Sequence, residues 1–329
     1  MPSAPVDLVA VDRGPLREAT HQGHLVVVDA AGRLEAALGD PDRPTYYRSS
    51  AKPLQALAML RAGVVEPFGL SAEQVAIMCA SHNGQPRHVE VVRGLLAAAG
   101  IAEDALQCGA HWPYYEPAAE EARRAMAAPI AVFNNCSGKH AGMLAGSLVL
   151  NAPLEGYLAP DHPVQARIRA VVEELSACPP SSIRYGIDGC SVPNPGLPLR
   201  AIARSLAALA AADDPRARTI VGAMTAHPHL VGGTGRFDTR LMEVAGGRLL
   251  AKGGAAGLHC TVELRTGRAL TVKLESGDGV WIHAAVMAAL GQLGWLEGGE
   301  MEQLADFSRP ILTNHRKVKV GEARPIFQL

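Results

Sequence analysis

The chain has 329 residues, 48% of them hydrophobic, with 31 Lys+Arg against 32 Asp+Glu and a formal net charge of −1. That balance excludes the basic stripe of a nucleic-acid binder, and the apolar content excludes an acidic disordered chain. No apolar run approaches the ~20 residues of a membrane helix, and Met1–Asp12 lacks a basic stretch followed by an apolar one, so a soluble, cytoplasmic, globular protein is expected.

From the N-terminus, Val6–Val11 alternates as a strand, and His24–Asp29, the turn Ala30–Gly32 and Arg33–Leu38 read as a hairpin. After Pro53 the run LQALAMLRAG has helical spacing and stops at Gly63. Ser71 and Gln74 form a capping box ahead of Val75–Ala80. Gln85–Ala99 is amphipathic, Ile130–Phe133 reads as a short buried strand, and Lys139–Leu150 as a helix of small residues. Helices are expected at Val164–Ser176, Pro198–Ala211 and Pro215–His227. Arg248–Ala251 leads into Lys252-Gly-Gly. Leu258–Arg265 and Arg268–Glu275 then form a hairpin across Thr266-Gly267, and Gly279–Leu293 closes as an apolar helix. Strands gather at both chain ends with helices between them. This pattern predicts an α/β (α+β) fold, an antiparallel sheet built from both termini and covered by helices on both faces. No linker or repeat interrupts the chain, and residues 1–329 are read as one domain.

The basic residues are 25 arginines and only six lysines, at 52, 139, 252, 273, 317 and 319. A desolvated lysine can become a neutral amine, which arginine cannot, so lysines set among Ser, Cys and Gly are candidates for chemistry. Ser49 and Lys52 are spaced to share one face of a helical turn, and a neutral Lys52 amine could take the Ser49 hydroxyl proton. The positive helix terminus there favours the neutral amine. About 0.3 such Ser-x-x-Lys spacings are expected by chance in this composition, so the pair alone is weak. Ser81-His82-Asn83 and Lys252-Gly253-Gly254 follow it in order. The three together resemble the S-x-x-K, S-D-N and K-T-G set of serine β-lactamases.

A second constellation joins Asn134–His140 (NNCSGKH) with Ile187–Pro193 (IDGCSVP). Each places a cysteine in a small, Gly-containing turn. Cys136 and Cys190 could share a zinc ion with Lys139, His140 or Asp188 completing the site, although no C-x-x-C pair is present. Cys79, Cys108, Cys178 and Cys260 lack ligand-like neighbours and read as small apolar residues. His227-Pro-His229 and the GGTGR turn Gly232–Arg236 read equally as an anion-binding loop or as a helix stop and a tight turn.

The strings GDPDRPTYYRSSAKPLQALAML, CASHNGQPRHVEVV, NNCSGKHAGML, DGCSVPNPGLPLRAIARSLAAL and VGGTGRFDTRLM resemble the rhizobial-type L-asparaginases, the asparaginase II family. The likeness runs from about Val6 almost to the last residue. It implies hydrolysis of L-asparagine to L-aspartate and ammonia by a homodimer with a fold similar to the serine β-lactamases and glutaminases. Matched by motif, Ser49 and Lys52 correspond to the family's catalytic tandem, and Ser81 with Lys252 to its second. Cys136, Lys139 and Cys190 correspond to its zinc site, with Arg48, His140 and Asp188 as substrate-binding or supporting residues. Where the family usually reads Gly-Ala-Glu-Gly, this chain has Gly254-Ala255-Ala256-Gly257, which removes a carboxylate near Lys252. The competing readings are a glutaminase or another serine amidohydrolase, and a catalytically silent amino-acid- or zinc-binding protein.

Overall fold

The computed structural model describes residues 3–329, so the first two residues of the segment read above for a leader lie outside it. The chain forms two compact units. One comprises Met1–Ser50, Leu197–Ala211 and Arg240–Leu329, the other Ala51–Gly196 and Ala212–Thr239.

The first unit holds an eight-stranded sheet in the order Ile311–Thr313, Lys319–Pro325, Val6–Arg13, Leu16–Val28, Arg268–Leu274, Leu258–Glu263, Leu249–Gly254, with Leu34–Leu38 also on Leu16–Val28. Its pairings are antiparallel, and the N-terminal strand lies between the C-terminal one and Leu16–Val28, as expected. All six residues of Leu258–Glu263 are buried, so both faces of the sheet are covered there. The helix Leu199–Ala211 packs on Leu16–Val28, Leu258–Glu263 and Arg268–Leu274; Ile282–Gln292 packs on Val6–Arg13 and Lys319–Pro325.

Two elements differ from the sequence reading. The strand expected at His24–Asp29 starts at Leu16, because its polar first half, LREATHQ, pairs with Val6–Arg13 while carrying no apolar signal. Ile130–Phe133 is not a strand: Ala131–Phe133 is one 3₁₀ turn, closed by the Phe133 N–H to Ile130 O and the Asn134 N–H to Ala131 O. An apolar run this short without a partner strand satisfies its backbone within a turn.

The second unit is built around the helix Lys52–Ala62, which is buried from Lys52 through Leu60 and therefore all round its circumference. Pro53 starts it and Gly63, at φ 95°, ends it. The helices Ala72–Met78, Ser137–Val149, Pro163–Ser176 and Pro215–Ala226 surround it, and the expected Ser71–Gln74 capping box is present. Among the described residues no helix is long and apolar enough to cross a membrane.

Gly138, Gly142 and Gly146 recur every fourth residue on Ser137–Val149 and let it approach its neighbours closely. A Cβ at 138 would stand 2.2 Å from the Ile77 carbonyl oxygen, whereas at 146 it would meet the movable Met59 sulfur at 2.3 Å. Backbone cannot yield as a methionine tip can. Gly138→Ala is therefore expected to lower unfolding stability by about 3 kcal/mol, and Gly146→Ala by less, as read from urea midpoints. Equal costs at the two positions would contradict the difference in packing.

Candidate active site

Ser49 lies on the single 3₁₀ turn Arg48–Ala51, and Lys52 opens the helix that follows directly. Arg48 adopts a left-handed φ of 51°, which turns the chain into this segment. Ser49 stays partly accessible while Ser50 is fully buried. Within the first unit the Ser50 hydroxyl donates to the Lys252 carbonyl at 3.1 Å, which holds the Ser49 turn against the strand Leu249–Gly254. Lys252 is 1% exposed, and its Nζ donates to the Gly253 carbonyl at 2.9 Å.

In the second unit Lys52 is also 1% exposed, and its Nζ donates to Ser81 Oγ at 2.9 Å, to the Asn135 carbonyl at 3.3 Å and to the Ala80 carbonyl. Ser81 is fixed from the other side, since its N–H donates to Val231 O at 2.9 Å. The Asn83 N–H donates to Gly232 O, and the Asn83 and Gln85 side chains bond to Thr234. The GGTGR turn is thus stitched onto the Ser81–Gln85 segment. Gly233 is required there. Its φ is +115°, and a Cβ would come within 2.6 Å of Gln85 Oε1 and 3.0 Å of Asn83.

Cys136, Lys139 and Cys190 meet in the same unit, all three buried. Lys139 is the third residue of its helix and donates to Cys190 Sγ at 2.8 Å. Asp188 Oδ2 is 3.9 Å from Cys190 Sγ. A bond from the Cys190 thiol, together with the nearby Lys52 and Lys139 charges, holds Cys136 well below the ordinary thiol range, and that shared proton and burial push Cys190 up. Burial works against the Lys139 charge, but the two sulfurs outweigh it and raise its pKa. His140 is fully buried; its Nδ1 is 2.6 Å from Tyr157 Oη, and its Nε2 has no partner among the described residues. Burial first, then the Lys139 charge, keeps this imidazole neutral.

Sequence reasoning assigned no such role to the residues that frame these groups. Asn135 gives its carbonyl to Lys52, gives its N–H to His111 Nε2 at 3.0 Å, and accepts the Cys136 thiol on Oδ1 at 3.3 Å. His82, His88 and His229 stack in a row with centroids 5.1 Å apart at each step. His88 Nε2 meets the His229 carbonyl at 2.8 Å across 141 residues of sequence. Only the recurrence of histidine around Ser81 and in the HPH string hinted at them.

His88 is held down at about 4, by burial above all, and His82 is also well below its usual value for that reason. In the unfolded chain both take a proton near pH 6.5, so the stability present above that pH is lost as pH falls toward 4. For His88 alone the loss is about 3 kcal/mol. Urea midpoints at pH 7.5 and 4.5 should therefore differ strongly in the parent chain and less in His88→Asn. An equally steep loss in the variant would move the titrating group elsewhere.

Solved structures similar to this chain include a β-lactamase from Mycobacterium bovis, at 16% identity and a TM-score of 0.46, covering 82% of this chain and 94% of that one. Another is a putative β-lactamase from Bacteroides dorei, at 11% identity and a TM-score of 0.42, covering 77% and 84%. Mglu in its glutamate form shares 17% identity with a TM-score of 0.35, covering 78% and 56%. No curated protein matches the sequence. The family model described as L-asparaginase II matches residues 9–325, nearly the whole length that carries the paired serines and lysines and the two cysteine turns, and the chain belongs to that family.

Proposed function

We propose that this amidohydrolase converts L-asparagine to L-aspartate and ammonia through a seryl acyl-enzyme. The observation that carries the reading is the buried Lys52 Nζ, 2.9 Å from Ser81 Oγ and opening the helix next to Ser49, in a member of the L-asparaginase II family. With Lys52 in its neutral form, which donates two bonds at most, Ser49 Oγ attacks the side-chain amide carbon while the amine takes the Ser49 proton. Ser81 passes that proton to the departing nitrogen, the C–N bond breaks, and ammonia leaves. Water then attacks the β-aspartyl ester, gives its proton to the same base, and restores Ser49. Lys252 keeps the role of the second lysine that the motif match gives it, and Arg48 and Asp188 support the substrate.

We further propose that Cys136, Lys139 and Cys190 hold one zinc ion per chain. No three His, Cys, Asp or Glu side chains among the described residues are grouped to hold a metal, and the third donor in this proposal is Lys139. The donor set fits. Two cysteine sulfurs and the Lys139 nitrogen are buried together, with Nζ 2.8 Å from Cys190 Sγ, and binding a divalent cation would release their protons. When bound, zinc supplies a fixed positive charge beside the catalytic lysine. His140, with its unpartnered ring nitrogen, and Asp188, 3.9 Å from Cys190 Sγ, are the alternative third ligands.

Following the family resemblance, the protein is taken to act as a cytoplasmic homodimer with residues 1–329 forming one catalytic domain. Ammonia release from L-asparagine, L-glutamine, D-asparagine and acetamide tests the substrate. L-Asparagine is expected to lead L-glutamine by at least about tenfold in kcat/KM. A preference for L-glutamine would make the chain a glutaminase, and no release from any of the four would leave a silent binding protein.

A further inference from the structure

An amino-acid amidase must recognise the free end of its substrate, and a free α-carboxylate calls for a cation that is not already neutralised. In the second unit Lys52 and Lys139 are buried and committed to Ser81 and Cys190. Most arginines of that unit face carboxylates, as in Arg61 with Glu174 and Asp214, Arg87 with Glu73 and Glu90, and Arg93 with Glu103. Arg236 does not. It is exposed, its N–H donates to Gly233 O, and no carboxylate pairs with it among the described residues.

Its position is set by the catalytic segment. Arg236 ends the GGTGR turn, whose neighbouring Val231 and Gly232 carbonyls accept the Ser81 and Asn83 N–H groups. Asn83 O in turn accepts the N–H groups of Tyr114 and Tyr115. The Tyr114 ring is 56% exposed and stacks on His111 at 4.4 Å, the same His111 that accepts the Asn135 N–H beside Cys136. Burial above all, and then the Cys136 charge, raises the Tyr114 phenol, while the Arg236 charge works the other way. An exposed aromatic ring and an arginine with no carboxylate partner among the described residues therefore border the Ser81–Asn83 segment.

We infer that Arg236, on the turn bonded to the Ser81–Asn83 segment that also holds Tyr114, binds the α-carboxylate of the amino-acid substrate and so selects free asparagine over amides that lack that group. The inference rests on the asparaginase reading and deepens it. A charge-assisted pair of this kind is worth about 10-fold or more in binding. Arg236 is a specificity residue, since it holds a part of the substrate that does not react.

The test compares the parent chain, R236Q and R236K on L-asparagine and on 3-aminopropanamide, which keeps the amine and the amide but has no carboxylate. Calorimetric binding of L-aspartate is measured alongside. In R236Q, KM for L-asparagine and the dissociation constant of L-aspartate should each rise at least about tenfold, with partial recovery in R236K. Turnover of 3-aminopropanamide should change less than about twofold. Unchanged aspartate binding in R236Q, or equal losses on both amides, overturns the inference. A parent chain that binds L-aspartate through Arg236 but releases no ammonia from L-asparagine instead overturns the proposed reaction and leaves the carboxylate site standing. If R236Q melts at a lower temperature, R236K provides the comparison in a folded protein.

Discussion

Ser49→Ala and Lys52→Ala should each remove ammonia release from L-asparagine, with kcat falling by about 10³-fold or more, while far-ultraviolet circular dichroism stays native. The two groups act as a nucleophile and its base, so the double variant should lose little more than either single one. Lys52→Met is a useful companion, because removing a buried lysine leaves the Ala80 and Asn135 carbonyls without their donor, and the methionine at least fills the space. Ser81→Ala should slow the reaction less if Ser81 only relays the proton. Because Lys52 Nζ is 2.9 Å from Ser81 Oγ, one result would reverse these assignments: near-normal turnover in Ser49→Ala with complete loss in Ser81→Ala makes Ser81 the nucleophile.

Lys139→Arg should lose the metal, although it keeps the positive charge. Guanidinium has no lone pair to offer at any accessible pH, whereas an amine can ligate once its proton is gone. Elemental analysis of the purified parent and variant, expected at one zinc and close to none per chain, checks this directly. Zinc competes with protons for the lone pairs of Cys136 and Lys139, and Lys139 holds its proton more tightly than a free lysine does. Zinc affinity should therefore fall steeply as pH drops. Full occupancy in Lys139→Arg would transfer the third ligand position to His140 or Asp188. His140→Ala in that background would then separate the two, because only His140 has an unpartnered ring nitrogen already in the dry interior.

Local signals settled most of the elements. The Ser71–Gln74 capping box, the Gly63 stop, the Thr266-Gly267 hairpin and the gathering of strands at both chain ends all appear where backbone and side-chain chemistry placed them. Each depends on residues a few positions apart, so the sequence alone carries the information. The failures have the same origin. The polar first half of Leu16–Val28 becomes strand only because Val6–Arg13 lies beside it, and Ile130–Phe133, lacking such a neighbour, closes into a turn.

Of the candidate site, the sequence by itself determined the residue types: two serines with lysines at suggestive spacing, two cysteines in small turns, and a lysine next to one of them. Beyond the cysteine–lysine grouping that the resemblance implied, tertiary structure decided who meets whom. Lys52 reaches Ser81 across 29 residues and Lys139 reaches Cys190 across 51. Asn135 links the catalytic lysine to the cysteine turn, and His88 finds His229. The physical reason is burial. Spacing along the chain says which side chains share a helix face, but only the packing of several helices around Lys52–Ala62 strips water from amines, thiols and imidazoles together. In that dry setting their protons and charges come to depend on one another.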